Sequence, residues 1–384
     1  MQIWRKIKRL LLNKIFSGLL IGVIVVSAIV YISHETNLDR VMSVFKIAPH
    51  FDMSDKLRDG IALLKTTPPL QYENGKSQIE LAILNVKTGD LFASRIWTTR
   101  DGTVISGELP VRILWWNSFN SVYEVKGRPE YVVVANKFLV DNRYLPEQKN
   151  LKLVVDAPHG LYTDMVYVPY SEQIHKQDVI EAGKKYIDTH VEEAYKELEE
   201  ANVQSHSRPG KLVIDAVQKD FVKTIVIIEH VDPGWLQLSD DGGRRLAERT
   251  LVIIGANQEW AYRYTNSSAN AYGLAQFIES TYDLMVERYP EAGLIKDHTL
   301  GMADHANAFK AMVLLFDNEA REILEKTEQP VTRQMLAAAY NGGTARVINA
   351  VLKNGQLWAD SDIFPEETNE YVKKYDLIAK LGIF

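Results

Sequence analysis

The sequence predicts an α+β multidomain chain: an N-terminal transmembrane helix, a small β-rich domain and a C-terminal all-α domain. Three observations predict it. A basic, acid-free start runs into eighteen uncharged residues, Ile15–Ile32. Short β-branched and aromatic runs separated by turn signals then fill about 77–170, and from about 211 onward apolar residues recur at helical spacing.

In chain order, residues 1–34 come first. Arg5, Lys6, Lys8, Arg9 and Lys14 precede the apolar stretch, which is long enough to nearly span a ~30 Å hydrocarbon core. Cations stay on the cytoplasmic side, so everything after about Ser33 is expected outside the cytoplasm. Val26-Ser27-Ala28 loosely fits the cleavage site of a signal peptide. An uncleaved anchor is preferred, because Ile29, Val30 and Ile32 carry the apolar run past that point. Either way the remainder is exported.

Residues 35–76 read as a partly helical lead-in. In 77–170, Ile79–Ile83 and Leu91–Ile96 flank the hairpin turn signal Lys87-Thr88-Gly89-Asp90. Further strand-like runs are Val111–Trp116, Tyr131–Val134, Leu151–Val155 and Met165–Val168. Within them Trp115-Trp116 is explained more simply by a half-buried strand than by a sugar platform. Residues 171–210 hold an amphipathic helix, about Asp178 to Ala201, and a polar linker, Asn202–Gly210. The last region, 211–384, carries helical periods at about 211–229, 244–260, 274–289, 304–326, 331–340, 344–353 and 368–381.

Composition narrows the function. Of 384 residues, 46% are hydrophobic and 24% charged, ordinary globular proportions that exclude a disordered or low-complexity chain. A net charge of −6 argues against a nucleic-acid binder. With no cysteine there is no disulfide, thiolate metal site or cysteine nucleophile. Nor is there a phosphate-binding glycine loop, a nucleophile elbow or a His-Glu-x-x-His pattern. His298, Asp304 and His305 lack paired ligand spacing, so neither metal nor cofactor is expected.

Four segments of 211–384 combine polar residues with conformationally special ones. The apolar run Val222–Ile228 ends in Glu229 and breaks at Pro233. A carboxyl there is partly desolvated and sits at the negative end of the helix dipole. Both effects raise its pKa, as a general acid at neutral pH requires. The second segment, Ser267 to Phe277, crowds small residues before Gly273 and places an amide, Gln276, at an apolar helix start. The third, Ala339-Tyr340-Asn341-Gly342-Gly343, ends a helix with two glycines and leaves Tyr340 and Asn341 at a cleft edge. The fourth, Pro365 to Val372, opens a helix with Thr368 available as its cap and Tyr371 one turn in.

In this order the segments resemble the catalytic domain of the lytic transglycosylases, goose-lysozyme-like enzymes that cleave peptidoglycan. Their signatures are a helix-end Glu, then Ser followed by Gly-Leu-Met-Gln, then Ala-Tyr-Asn-x-Gly, then Glu-Thr-x-x-Tyr-Val. The resemblance covers roughly 211–384 and implies a lysozyme-like fold for it. It departs from the pattern in Glu229-His230 where the family has Glu-Ser, in Ala275 for methionine, and in Asn270 for glycine. The commonest subfamily also sets its Glu about as far before the glycine as Glu259 stands, 14 residues before Gly273, whereas Glu229 stands 44 before it. Two carboxylates therefore compete. Glu229 is favoured over Glu259, because a second subfamily carries an insertion there and shares Gln-Phe-x-x-Ser with Gln276–Ser280.

The resemblance implies a single-Glu acid/base that cleaves the bond between N-acetylmuramic acid and N-acetylglucosamine and closes a 1,6-anhydro ring. Ser267, Gly273, Gln276, Tyr340, Asn341 and Tyr371 would line the sugar cleft. The N-terminal anchor, taken with this resemblance, makes a bacterial inner-membrane location expected, with the later domains in the periplasm or wall space. The partners expected of the protein are peptidoglycan strands, the membrane through the N-terminal helix, and other envelope proteins through residues 77–170. Two rivals stay open: a non-catalytic wall-binding or assembly scaffold, and a muramidase that uses water, with Asp232 as a second carboxylate.

Overall fold

The computed structural model describes residues 51–99, 101–141 and 162–384. The expected transmembrane helix at Ile15–Ile32 and the strand run Leu151–Val155 lie outside them. Helix α1 (Met53–Thr66) leads into strands β1 (Tyr72–Glu73), β2 (Lys76–Asn85), β3 (Leu91–Thr99), β4 (Val104–Gly107), β5 (Val111–Trp115), β6 (Val122–Val125), β7 (Tyr131–Asp141) and β8 (Tyr162–Tyr167). The larger sheet runs β4-β3-β2-β7-β8 with β1 added to one end of β2, and β5-β6 form a separate ribbon; every pairing is antiparallel.

The alternation of β2 explains its position. Ile79, Leu81 and Ile83 join Ile96, Phe138, Met165 and Tyr167 in one core, with Trp116, Phe119, Trp260 and Tyr264 packed against it. The intervening Ala82 is also fully buried, and at the other face Gly60 of α1 lets that helix approach Ala82 and Val134 closely. Residues 78–84 of β2 are buried on both faces, Gln78 and Glu80 included, with Glu80 paired to Arg95.

Helices follow: α2 (Gln177–Glu200), α3 (Val213–Ala216), α4 (Lys219–Glu229), α5 (Pro233–Gln237), α6 (Arg244–Asn257), α7 (Glu279–Arg288), α8 (His298–Ala303), α9 (His305–Thr327), α10 (Arg333–Gly342), α11 (Thr344–Asn354) and α12 (Glu366–Lys380). Two glycines set the crossing of α2 and α6. A Cβ on Gly183 would meet the Leu251 carbonyl oxygen at 2.0 Å, and one on Gly255 the Val179 oxygen at 2.2 Å. The long α9 is buried along most of its length and passes through the middle of the helical layer.

The predicted fold class needs correction. The described residues form a mixed α/β fold, 51% helical with a small antiparallel sheet, rather than a β-rich domain beside an all-α one. Among them no helix is long and apolar enough to cross a membrane. The physical reason for the mixing is long-range pairing. Trp260 and Tyr264, from the helical part of the sequence, cover the sheet's core. Asn257 clamps the end of β8, accepting from Val168 N at 2.8 Å and donating to Val168 O at 3.0 Å. The described residues of 52–86 and 90–384 thus belong to one compact unit.

The polar segment 202–210 is also fastened. Asp317 of α9 is fully buried and accepts from Ser205 Oγ (2.6 Å), His206 N (2.6 Å), Ser207 Oγ (2.6 Å) and Tyr289 OH (2.8 Å).

Candidate active site

Six apolar residues of α4, Phe221, Val222 and Ile225 to Ile228, are buried, and Glu229 closes the helix. The chain turns at His230, and Asp232 then caps α5 by accepting from Trp235 N at 2.9 Å, with Pro233 in its first turn. Asp232 is exposed and committed to that cap. Glu229 is held differently. Its Oε1 accepts from the Tyr371 hydroxyl of α12, and burial pushes its carboxyl up to about 7. The Tyr371 bond and the charge of Lys374 pull against that rise, while Glu367 adds to it. Lys374 is itself buried, donates to Val231 O at 3.0 Å, and has its ammonium pKa lowered by burial.

Tyr340, near the end of α10, donates its buried hydroxyl to the Ala275 carbonyl and packs edge-on against Phe277 at 5.9 Å. Burial raises its pKa well above the usual phenol value, and the charges of Glu229 and Glu319 raise it further. Asn341 accepts from Thr368 Oγ1 at 3.0 Å, tying the end of α10 to the first turn of α12. Gly342 beside it has no room for a side chain, since an added Cβ would lie 2.7 Å from the Thr368 hydroxyl. Thr368 is therefore a buried bracket and not the cap expected of it; Pro365 holds the cap position.

The loop from Ser267 to Phe277 is shaped by its own side chains. Ser267 Oγ accepts from Ala269 N (3.2 Å) and Ala271 N (3.0 Å). Asn270 and Gln276 have φ of 59° and 52°, and Gly273 has φ of 74°. Gly273 is required twice over, because a Cβ there would come within 2.6 Å of the Met302 carbonyl oxygen. Asn270 occupies the left-handed region that asparagine tolerates better than most residues, which accounts for its standing where the resembled pattern has glycine. Gln276 donates Nε2 to Gly273 O at 2.6 Å, closing the turn, and no helix begins there: α7 starts at Glu279.

His230 joins this loop to α4. Its Nε2–H donates to Leu274 O at 2.8 Å, and its ring stacks on Tyr262 at 3.6 Å and 16°. Burial lowers its pKa to about 4, which keeps the imidazole neutral.

The structure thus brings together Glu229, Tyr340, Asn341 and Tyr371, with Gly273 and Gln276 shaping the adjoining loop. Glu259 stands elsewhere. It is exposed on the single turn Gln258–Trp260 and lines a cavity of about 540 Å³ with Tyr186, His190, Arg263 and Asp304. Ser267 spends its hydroxyl oxygen on loop amides. His298, Asp304 and His305 are separately engaged, with Phe277 O, Asn307 N and Tyr186 OH. No group of His, Asp and Glu arranged to hold a metal occurs among the described residues.

Sequence reasoning missed Lys374 and Glu319. Lys374 was findable, since it shares the buried stripe Tyr371, Lys374, Tyr375, Ile378 of α12, an odd position for a lysine. Glu319 gives no such signal. It lies in α9 with Oε2 unpartnered among the described residues, and burial raises its pKa well above the usual value.

Compared with known proteins, the chain has no match: no family model, curated protein or solved structure is similar to it.

Proposed function

We propose that this protein is a peptidoglycan lytic transglycosylase that works through Glu229 as its single acid/base. One observation carries the reading: a carboxyl at the end of an apolar helix, gripped by a tyrosine hydroxyl, with its pKa pushed up to about 7 by burial. Near neutral pH such a group is divided between its two protonation states, the condition for giving a proton and then taking one back.

Protonated Glu229 gives its proton to the glycosidic oxygen as the bond from the N-acetylmuramic acid C1 to that oxygen breaks. The muramic acid O6 then bonds to C1, and its proton passes to the Glu229 carboxylate, which restores the acid. Atoms balance without water and without a second carboxylate, in keeping with Asp232 serving as a helix cap. Tyr371 holds Oε1 and leaves Oε2 for the proton, and Lys374 stabilises the anion between the two steps. Tyr340 supports the Ala275 end of the loop on which Gln276 and Gly273 sit.

The test is mass spectrometry of purified peptidoglycan digested by wild type, Glu229→Gln and Glu259→Gln. Anhydro-muropeptides lost in Glu229→Gln alone support the reading. Loss in Glu259→Gln alone moves the acid to Glu259. Reducing-end products mean a water-using muramidase, and no release by the wild type means a scaffold.

A further inference from the structure

The cavity of about 540 Å³ that Glu259 lines is used by no step of the proposed reaction. Its volume falls within the ~300–1,000 Å³ usual for ligand sites. Its wall comes from α2, from the turn Gln258–Trp260 with Arg263, and from the segment 293–310. The wall has its donors spent and its acceptors left over. Lys310 Nζ pairs with Glu197 at 2.7 Å, and Arg263 donates to Ala303 O while lying over the Trp260 ring at 5.4 Å. By contrast Glu193, Glu259 and Asp304, whose Oδ1 caps α9, are exposed and have no ion-pair partner among the described residues. His190 donates Nδ1–H to Tyr186 O at 2.9 Å, which leaves Nε2 of the neutral ring as an acceptor. His305 marks a missing partner most sharply. It is 3% exposed, bonds Tyr186 OH through Nδ1 at 2.9 Å, and has no hydrogen-bond partner for Nε2 among the described residues. Burial lowers its pKa to about 3, so it adds no cation to the wall.

We propose that this cavity binds an aliphatic diamine, whose two ammonium groups donate to the unpaired carboxylates and imidazole nitrogens. Among the described residues of the wall four carboxylates, those of Glu193, Glu197, Glu259 and Asp304, face two cations, Arg263 and Lys310. The surplus of two negative charges equals what a diamine brings. The carboxylates act on a common point: burial raises the Tyr186 phenol pKa, and the charges of Glu259, Asp304 and Glu193 raise it further, against the pull of Arg263. Ile295, Leu300 and Ala306 supply apolar surface for the methylenes between the two amines. A single metal ion suits the wall less well, since no group of His, Asp and Glu among the described residues is arranged to hold one. An anionic ligand would add like charge to carboxylates that already lack partners. Nothing in the cavity depends on Glu229 acting as an acid, so binding is scored without glycan.

The experiment is calorimetry on the full chain with 1,5-diaminopentane, pentylamine and glutarate at neutral pH. The diamine is expected to bind about tenfold or more tightly than the monoamine and to weaken as salt rises, and glutarate is expected not to bind. Glu259→Gln and Glu193→Gln each remove one unpaired charge at an exposed position and should weaken the diamine about two- to tenfold. Glu108→Gln, at an exposed carboxylate outside the cavity, should leave it unchanged. The His305 ring resonances should shift as the diamine is added. Diamine binding no tighter than that of pentylamine overturns the proposal. Equal weakening by Glu108→Gln overturns it as well, because it means general attraction to a negative surface. Zn²⁺ binding that Glu259→Gln abolishes, with no heat from the diamine, makes the cavity a metal site and overturns it too. If circular dichroism shows one of the two cavity variants unfolded, the other decides.

Discussion

Glu229 and Glu259 stand 30 residues apart in the sequence and in opposite physical circumstances. The first ends an apolar helix, is bonded by a tyrosine and has its pKa pushed up to about 7. The second rides an exposed single turn at the mouth of a polar cavity. Spacing to Gly273 favours Glu259, and environment favours Glu229. The two criteria disagree because a motif distance takes no account of what surrounds a carboxyl, and desolvation and partners set an acid's strength.

The largest effect expected of this contrast is on rate. Glu229→Gln should lower glycan release by about 10²–10⁴-fold, the usual worth of a positioned acid/base, as measured by anhydro-product formation over time. Equal losses in Glu229→Gln and Glu259→Gln would break the comparison outright.

The pH dependence sharpens it. The folded pKa of Glu229, about 7, lies above its ordinary 4.5, so the folded state holds this proton more tightly than the unfolded one. Its contribution to stability is therefore fully present below about 4.5 and is lost as pH rises through about 7. Chemical denaturation across that window should show Glu229→Gln gaining on wild type toward alkaline pH. Tyr371→Phe removes a bond that lowers the Glu229 pKa, so the alkaline limb of the activity profile should move to higher pH.

Smaller still is the effect of His230. His230→Ala deletes the donor to Leu274 O and the stack on Tyr262, and should cost about 1–3 kcal/mol in thermal or denaturant unfolding. His230→Asn, which retains an amide donor, should recover part of it. Glu259→Gln closes the series, with release rates within about twofold of wild type, as surface substitutions usually give.

Where local pattern governs, the sequence was readable. The stop at Asn341-Gly342-Gly343 is where α10 ends, with Gly343 at φ 89°. The Lys87–Asp90 turn signal joins β2 to β3, which pair in register from Leu84–Leu91 to Lys76–Thr99. The helix expected at 211–229 is broken at Val217, whose extended backbone separates α3 from α4. The helix expected from 274 begins at Glu279, since Tyr272 and Phe277 are first occupied in a backbone bridge. What periodicity does not carry is partnership across distance. Nothing local to Asn257 announces Val168, nor does Trp260 announce the sheet. Within the site, Glu229 was legible from its helix and Pro233, whereas its grip by Tyr371, 142 residues later, needed the fold.

The anchoring of Ser205–Ser207 by Asp317 has a consequence for heredity. The segment looks like a seam where a gene could be cut and its helical part passed on alone. A protein starting at residue 211 would keep Asp317 in its interior and lose Ser205, His206 and Ser207, leaving Tyr289 as the remaining donor of that group. An inward carboxylate stripped of most of its donors costs several kcal/mol, comparable to a domain's entire margin of stability. A cut that keeps the helices stable therefore has to fall before Ser205, leaving Ser205–Ser207 with Asp317.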